Sequence, residues 1–460
     1  MRLTLWVGLI GLTGQLALAQ FGGMGGFGGS SGLAMDSQGA LDAGRGVGIR
    51  PWVTANGGYS RSLDASSDND SIRSAGVAAG VTGAKQWSRS AFQGGYIGSG
   101  HWMDRVSTAD PKRWRLSHVA SLGYNRALTD RTQVGLSVLG GLSDGGYGAG
   151  SLFNAFGVTG FGSTTLSSST GAAAIGSAFG DTTDNGLVDS EVVLARTRFL
   201  STSANITHFV NQRFSVSAFG GGSIVRRGHG LTGGNMASGG GSVGYRLDQR
   251  SEISGGYSYG AMEYSGLFGS VHVQSVQVGY SLLINPRTTL GFQVSGTRLQ
   301  SEYAGQVAIS SELAALLGVS TTVEVQKVLR NLAGGGVVFS RSFRAGHLRL
   351  NAGRSVVPGN GVLLVSRRDI ASANWGAALG RRAGWSCFSN VTRMTGQVAL
   401  RGRTDTAQGG MGFSYRLFGS IHATASGGFR YAKVIERPRT RDAFASVGLS
   451  WSPGEMPLVF

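Results

Sequence analysis

The residues able to do chemistry in this 460-residue chain are many but scattered. Its seven histidines, His101, His118, His208, His229, His272, His347 and His422, fall in different segments. No HExxH, GxSxG or comparable spacing sets a base beside a nucleophile or two ligands on one metal. Ser117 and His118 are neighbours in a stretch that reads as a strand, so they point to opposite faces and cannot pair. Asp64, Asp68 and Asp70 in LDASSDNDS could take a calcium ion, as could Asp181, Asp184 and Asp189, but no EF-hand pattern is present and solvated loop acids account for both groups. A GxGxxG-like run in Phe21–Val47 has no strand before it and no helix after it, so no nucleotide loop is expected. Cys387 is the only cysteine, which excludes an internal disulfide and a cysteine-based zinc site. The expectation is a protein that is not an enzyme, with no catalytic residue, no cofactor and no metal.

What remains is a set of cationic and amide side chains. Arg246, Arg349, Arg416 and Arg430, with Gln277 and Gln293, alternate with apolar neighbours and are the candidate lining of an internal channel. The formal charge is +17. No nucleic-acid motif accompanies it, and an exported chain has no nucleic-acid partner to meet. Basic residues at strand ends and turns suit anionic lipid headgroups or lipopolysaccharide phosphates, whereas inward ones would bias a pore toward anions.

The elements that would hold these residues are strands. In Ser270–Gln300, Val276, Val278, Tyr280 and Leu282 share one side of an extended chain and Gln277, Gly279 and Ser281 the other. After the turn Ile284-Asn285-Pro286-Arg287 the alternation resumes with Leu290, Phe292 and Val294 against Gly291, Gln293, Ser295 and Thr297, which makes an antiparallel hairpin. One face is apolar and the other small and polar. In a soluble sandwich the apolar face is an internal core; in a transmembrane barrel it meets lipid.

Composition and connections decide for the barrel. Charged residues are 14% and glycine is 79 of 460, a balance that suits a wall whose inner positions need not fill a core. Beyond the N-terminus no apolar run reaches about 18 residues, which excludes a helical membrane protein. The expected fold is all-β: an antiparallel up-and-down barrel of about eighteen strands, sixteen being the alternative. The strands are expected near 47–61, 73–86, 87–99, 114–128, 131–145, 192–208, 212–227, 236–247, 250–264, 270–284, 287–301, 330–343, 346–357, 370–381, 384–395, 407–417, 419–434 and 441–451. Tight polar turns such as Asp248-Gln249 and Asn285-Pro286 alternate with longer connections near 62–72, 100–113, 146–191, 228–235, 302–329, 358–369, 396–406 and 435–440. A sandwich gives no reason for such sorting. Ser311–Leu317 is a helix-like patch in one long loop, able either to narrow the barrel or to cap the loop outside. Tyr59, Tyr124, Tyr257, Tyr259, Tyr280, Trp375, Tyr415, Tyr431 and Trp451 are expected near strand ends, as an aromatic girdle.

Residues 1–20 read as a secretory signal, with Arg2, the apolar Leu3–Leu12 and an A-x-A site at Ala17-Leu18-Ala19. Residues 21–46 read as a Gly-rich flexible periplasmic tail and 47–460 as the barrel. With these features the chain resembles bacterial outer-membrane β-barrels of the porin-like type, over Val47 to Phe460. The final strand Ala443–Trp451 and the terminal Phe460 carry part of that resemblance, although Ser452-Pro453-Gly454-Glu455-Met456-Pro457 interrupts the run and makes Trp451 the expected strand end. The tail SPGEMPLVF is also similar to a Gly/Ser-rich subgroup of barrels ending in SPG-x-x-P-L. The resemblance implies an outer-membrane location in a Gram-negative-type bacterium and an assembly signal at Trp451 and Phe460, read by the barrel-assembly machinery. It also implies outer-membrane lipid and lipopolysaccharide as surroundings and passive diffusion of small hydrophilic solutes. A non-conducting structural barrel, a polysaccharide-export component or an adhesin is the alternative; a TonB-dependent transporter is disfavoured because residues 21–46 are too few for a plug.

Overall fold

The structure, a computed structural model, describes residues 48–63, 71–104, 114–143, 196–228, 233–265, 269–308, 312, 321–358, 365–380, 382–397, 402–433, 439–451 and 456–457. The signal and tail segments, the calcium-candidate aspartates, His229, loop 146–191, Phe460 and all of Ser311–Leu317 but Glu312 lie outside the described residues.

The described chain is strand almost throughout. In order the elements are β1 (Gly48–Ser62), β2 (Ser71–Gln86), β3 (Ser90–Met103), β4 (Trp114–Ala127), β5 (Thr132–Ser143), β6 (Thr197–Phe209), β7 (Phe214–Arg227), β8 (Gly233–Arg246) and β9 (Ser251–Ser265). They continue as β10 (Gly269–Asn285), β11 (Thr288–Ala308), β12 (Thr321–Ser342), β13 (Gly346–Pro358), β14 (Val365–Leu379), β15 (Ala383–Gly396), β16 (Arg403–Phe418), β17 (Ile421–Lys433), β18 (Thr440–Trp451) and the two-residue β19 (Met456–Pro457). Each of the first seventeen pairs antiparallel with its successor, and β18 returns to β1 with Val53 opposite Trp451 and Ser62 opposite Asp442. The sheet is therefore closed. At about 4.8 Å between strands and a tilt of about 40°, eighteen strands make a wall roughly 35 Å across between backbones. The last long strand ends at Trp451, as expected, and pairing resumes briefly with Met456 and Pro457 opposite Ile49 and Gly48. Pro457 is tolerated there because β19 pairs on one side only.

Alternation along each strand sorts the two faces of the wall. On β10 and β11, Val276, Val278, Phe292 and Val294 are exposed on the outer face, while Gln277 and Thr297 are buried on the inner one. The same phase puts Leu136 and Val138 of β5, Val447 and Leu449 of β18, and Met411 and Phe413 of β16 outside. Of the aromatics, Tyr59, Tyr415 and Trp451 lie toward strand ends, whereas Tyr257 and Tyr259 sit near the middle of β9, where their partners are Val276 and Gln274. The girdle is thus incomplete on β9.

The short connections share one end. They are 87–89, 128–131, 210–213, 247–250, 286–287, 343–345, 380–382 and 419–420, and the longer ones share the other end, with 266–268 as a brief exception. Several close by one device: a side-chain oxygen accepts the N–H groups two or three residues on. Asn211 Oδ1 takes those of Arg213 and Phe214 at 2.8 Å each, Asp248 Oδ1 those of Arg250 and Ser251 at 2.6 Å each, and Asn285 Oδ1 that of Arg287 at 3.0 Å. The sequence reading ran 73–86 straight into 87–99. In the structure Trp87-Ser88-Arg89 forms a turn, with Trp87 N–H donating to Ser90 O at 2.7 Å, and contains none of the Gly, Pro, Asn or Asp that mark turns.

The main departure is at β11 and β12. They pair without interruption to Ala308 and Thr321, so 302–308 and 321–329 are strand and not loop. β12 meets β13 only from Gly335 to Ser342; beyond Gly335 β12 has no β13 partner, while β11 stays paired with β10 as far as Tyr303.

The hydrogen bonds of the 247–250 turn hold the Asp248 carboxyl below the usual carboxylate range, chiefly through the Arg250 N–H. A depressed folded value means that the stabilisation is present above the ordinary carboxylate pKa of about 4 and is lost as pH falls through the lower folded value. In urea unfolding followed by tryptophan fluorescence, Asp248→Ala should lower the midpoint at neutral pH, with the gap to the parent closing in acid. A gap that stays constant down to strongly acidic pH would rule out the carboxylate as its source.

Candidate functional site

The inner wall is where polar chemistry collects. Hydroxyl pairs bridge neighbouring strands on the inner face: Ser137 to Ser203 at 2.6 Å, Ser217 to Ser242 at 2.6 Å, Ser275 to Thr297 at 3.2 Å and Ser426 to Ser446 at 2.6 Å. Inner aromatic rings do not project across the lumen but lie against glycines of the next strand. A Cβ at Gly240 would sit 2.6 Å from Phe219 Cζ, one at Gly141 2.8 Å from Phe199 Cζ, and one at Gly428 2.9 Å from Phe444 Cζ. Gly410 stands to Phe388, and Gly80 to Trp52, in the same way. In each case the ring and the glycine are direct ladder partners. These glycines are needed where they stand: a side chain would meet the ring and, at Gly141, Gly240, Gly410 and Gly428, a backbone carbonyl of a neighbouring strand as well.

Gln277 and Gln293 face inward, Gln277 opposite Ser295 and Gln293 opposite Gly279. Arg246, opposite Glu252, lies at the short-turn end of the inner face. Arg349, between Ser340 and Asn374, is on the same face, as is Arg430, between Gln408 and Asp442. Arg416 is placed differently from these three. It follows the inner-face Ser414 but lies exposed at the 416–418 bulge, its Nε donating to Gly419 O at 2.7 Å, with Gly419 at φ 51°. It belongs to the rim of the barrel and to its turn. Counting alternation along each strand adds Arg115, Arg227, Arg330 and Arg368 to the inner face, residues not singled out from the sequence. Their phase was readable, since Arg115 stands between the outward Trp114 and Leu116. Against these cations the inner face carries Glu252 and Asp442, with Glu324 on the projecting hairpin, among the described residues.

The inner wall is not polar throughout. Toward the long-loop end of β8–β11 it turns apolar, and Met236, Met262, Tyr264, Val271, Val273 and Leu299 form a buried cluster with Val365, flanked by Tyr303 and Val356. No bulge causes the change. β10 pairs β9 in unbroken register from Ser270 to Leu282, and within it the apolar phase flips from Val271 and Val273 inside to Val276 and Val278 outside. Two hydrogen bonds order the hairpin near this cluster. Tyr303 Oη donates to Gln326 Oε1 at 2.7 Å, and Arg330 Nη1 donates to Gln397 Oε1 at 3.2 Å, a contact that joins β12 to the end of β15. The hairpin therefore leans past β13 and β14 over part of the mouth, leaving the wall at Gly334-Gly335-Gly336.

This is a closed antiparallel barrel of eighteen long strands. No protein-family model matches the sequence, and no curated protein matches it. Solved structures of similar architecture include the ferric-catecholate import receptor Fiu from E. coli in its closed form, at 9% identity and a TM-score of 0.46 over 88% of this chain and 81% of that one. They also include Pseudomonas aeruginosa OccK2 in complex with glucuronate, at 10% identity and a TM-score of 0.40 over 89% of this chain and 100% of that one. Acinetobacter baumannii OccAB2 is a third, at 8% identity and a TM-score of 0.41 over 88% and 98%. The likeness is one of fold. Among the described residues no group of three or more His, Cys, Asp or Glu side chains could hold a metal ion.

The inner cluster makes a quantitative expectation. Leu299 is fully buried, whereas Val294, five residues along the same strand, is 66% exposed on the outer face. Leu299→Ala should cost about 2–5 kcal/mol in reversible unfolding from detergent, and Val294→Ala less than about 1 kcal/mol. Equal losses at the two positions would mean that the inner cluster does not contribute to the fold.

Proposed function

We propose that this barrel sits in an outer membrane with its long loops outward and conducts small hydrophilic solutes by passive diffusion, with a preference for anions. One observation carries the reading: the inner face combines hydroxyl pairs with Arg246, Arg349 and Arg430, supplemented by Arg115, Arg227, Arg330 and Arg368, and few carboxylates oppose them. Cations lining a low-dielectric passage raise the local concentration of anions and repel cations. The outer face supports the membrane placement, because a continuous apolar band of Val, Leu, Phe and Tyr on a closed sheet has no other partner. The barrel-assembly machinery and lipopolysaccharide are the partners this placement entails, with Trp451 at the end of β18 as the strand-end aromatic.

A second reading rests on a different observation. Ile97, Val119, Leu299 and Arg115 all face inward, yet each is no more than 2% exposed. An inner wall covered at those points suits a barrel that does not conduct and whose working surface is its loops.

Planar-bilayer recording separates the two. A steady current with a reversal potential displaced toward anions in a salt gradient is expected, and the triple variant Arg246→Gln/Arg349→Gln/Arg430→Gln should move that potential toward zero without abolishing the current. Absence of current at any voltage favours the loop-surface reading, and a current with cation preference removes the role given to the arginines.

A further inference from the structure

The outer face holds charges that neither the lumen nor the apolar band uses. A single row of ladder partners crosses five strands: Arg354 on β13 faces Asp369 on β14, which faces Arg393 on β15, which faces Asp405 on β16, which faces Lys433 on β17. Arg367 and Arg403 stand two residues from the two aspartates, on the same face. Arg354 Nε lies 2.6 Å from Asp369 Oδ1, and Arg367 Nε 3.7 Å from Asp369 Oδ2. Arg393 Nε lies 2.9 Å from Asp405 Oδ1, and Arg403 Nη2 2.8 Å from Asp405 Oδ2.

Each aspartate thus fixes two arginines side by side, and five cations meet only two carboxylates. The arginine side chains remain about one third to one half exposed, so guanidinium N–H groups are presented outward. The row lies near the long-loop ends of its strands, directly above outer apolar residues of the same strands such as Leu350, Trp375, Val391 and Met411. Charges on that face are too costly to keep within hydrocarbon, so the row marks the headgroup level of the outer leaflet. Outer arginines recur toward the same end on β1–β2 (Arg61, Arg73) and on β6–β7 (Arg198, Arg226), but their ladder partners are not carboxylates. On β3–β5 the outer positions toward the same end are Trp102, Trp114, Leu116 and Leu142. A general attraction to anionic lipid would not need aspartates spent on orienting arginines.

We infer that β13–β17 form a binding site for a phosphorylated glycolipid of the outer leaflet, lipid A in chemical class, with the two Arg–Asp–Arg sets each receiving one phosphate. Paired guanidinium groups offer forked donors that match phosphate oxygens. The two sets are two strands apart, about 10 Å, which fits phosphates carried at opposite ends of a disaccharide. The inference rests on the membrane placement proposed above and is independent of conduction.

The mature chain in detergent, first shown to float with liposomes, would be incubated separately with bisphosphorylated lipid A, dephosphorylated lipid A, phosphatidylglycerol and inorganic phosphate. Retained lipid would be read by native mass spectrometry. Bisphosphorylated lipid A should bind at least about tenfold more tightly than the other three, the loss expected when charge-assisted hydrogen bonds are removed. Arg393→Gln/Arg403→Gln should weaken it by a similar factor, as should Arg354→Gln alone if the double variant does not fold, while Arg61→Gln/Arg73→Gln on β1 and β2 should leave it unchanged. Equal retention of phosphatidylglycerol, competition by inorganic phosphate at comparable concentration, or undiminished binding by a folded belt variant would overturn the site. Failure of the parent chain to float would instead overturn the membrane placement.

Discussion

Closure of the sheet is the constraint on which everything else depends. A strand edge presents a row of unpaired N–H and C=O groups, and in a medium without water each such group costs several kcal/mol. Here the ten pairs from Val53–Trp451 to Ser62–Asp442 join the last long strand to the first, and β19 extends the seam to Gly48. Once the backbone is satisfied within the wall, the side chains are free to serve two different environments. That is why a chain with so few charged residues and so much glycine can still be folded: its stability does not require a packed interior spanning the whole cross-section.

Glycine then becomes a spatial device. Rings such as Phe219, Phe388 and Phe444 on the inner face would each occupy a large share of the lumen if they stood upright. Laid over Gly240, Gly410 and Gly428, they bury apolar area against bare backbone and leave the centre of the cross-section clear. The same glycines would weaken an ordinary strand through the entropy of the unfolded chain. The ring contacts offset part of that loss, so the pairing of one aromatic with one glycine across a ladder is a stabilising unit repeated around the barrel.

All eighteen long strands were legible from alternation and turn chemistry because period two is a strong signal when one face is apolar and the other small. The 87–89 turn was not, since its one turn-prone residue, Ser88, is flanked by Trp87 and Arg89 and gives only a weak signal. The upper halves of β11 and β12 escaped for a different reason. In Arg298–Gln306 the apolar residues change faces, so the alternation no longer matches the phase set lower down; in Glu324–Asn331 Val325 and Leu329 keep the outer phase but are interrupted by Lys327, and both stretches imitate a loop. The inner-face arginines were only partly found: Arg246 and Arg349 stand among residues of clear phase, whereas Arg227 ends β7 and Arg330 lies where the sequence alone places the start of its strand, so phase is easily lost at both. The Arg–Asp row could not be seen at all from one strand, because its neighbouring members are 12 to 28 residues apart in sequence and meet only through the register.

The change of face on β10 and β11 links these features. If the wall had one environment outside from end to end, Val271 and Val273 would be expected in phase with Val276 and Val278, and a bulge would be needed to turn them inward. The ladder is unbroken, so the environment itself must change between residues 273 and 276. Outside, His272, Gln274, Arg298 and Gln300 replace valine and phenylalanine; inside, Val273 and Leu299 replace serine and glutamine. The outer apolar band therefore ends at that level on β10–β11, as it does at Arg354, Asp369 and Arg393 on β13–β15. Above it the wall inverts, with apolar residues packed inward beneath the hairpin and polar ones turned out. On the proposed membrane placement, such an inversion follows when a strand emerges from hydrocarbon into a hydrated layer.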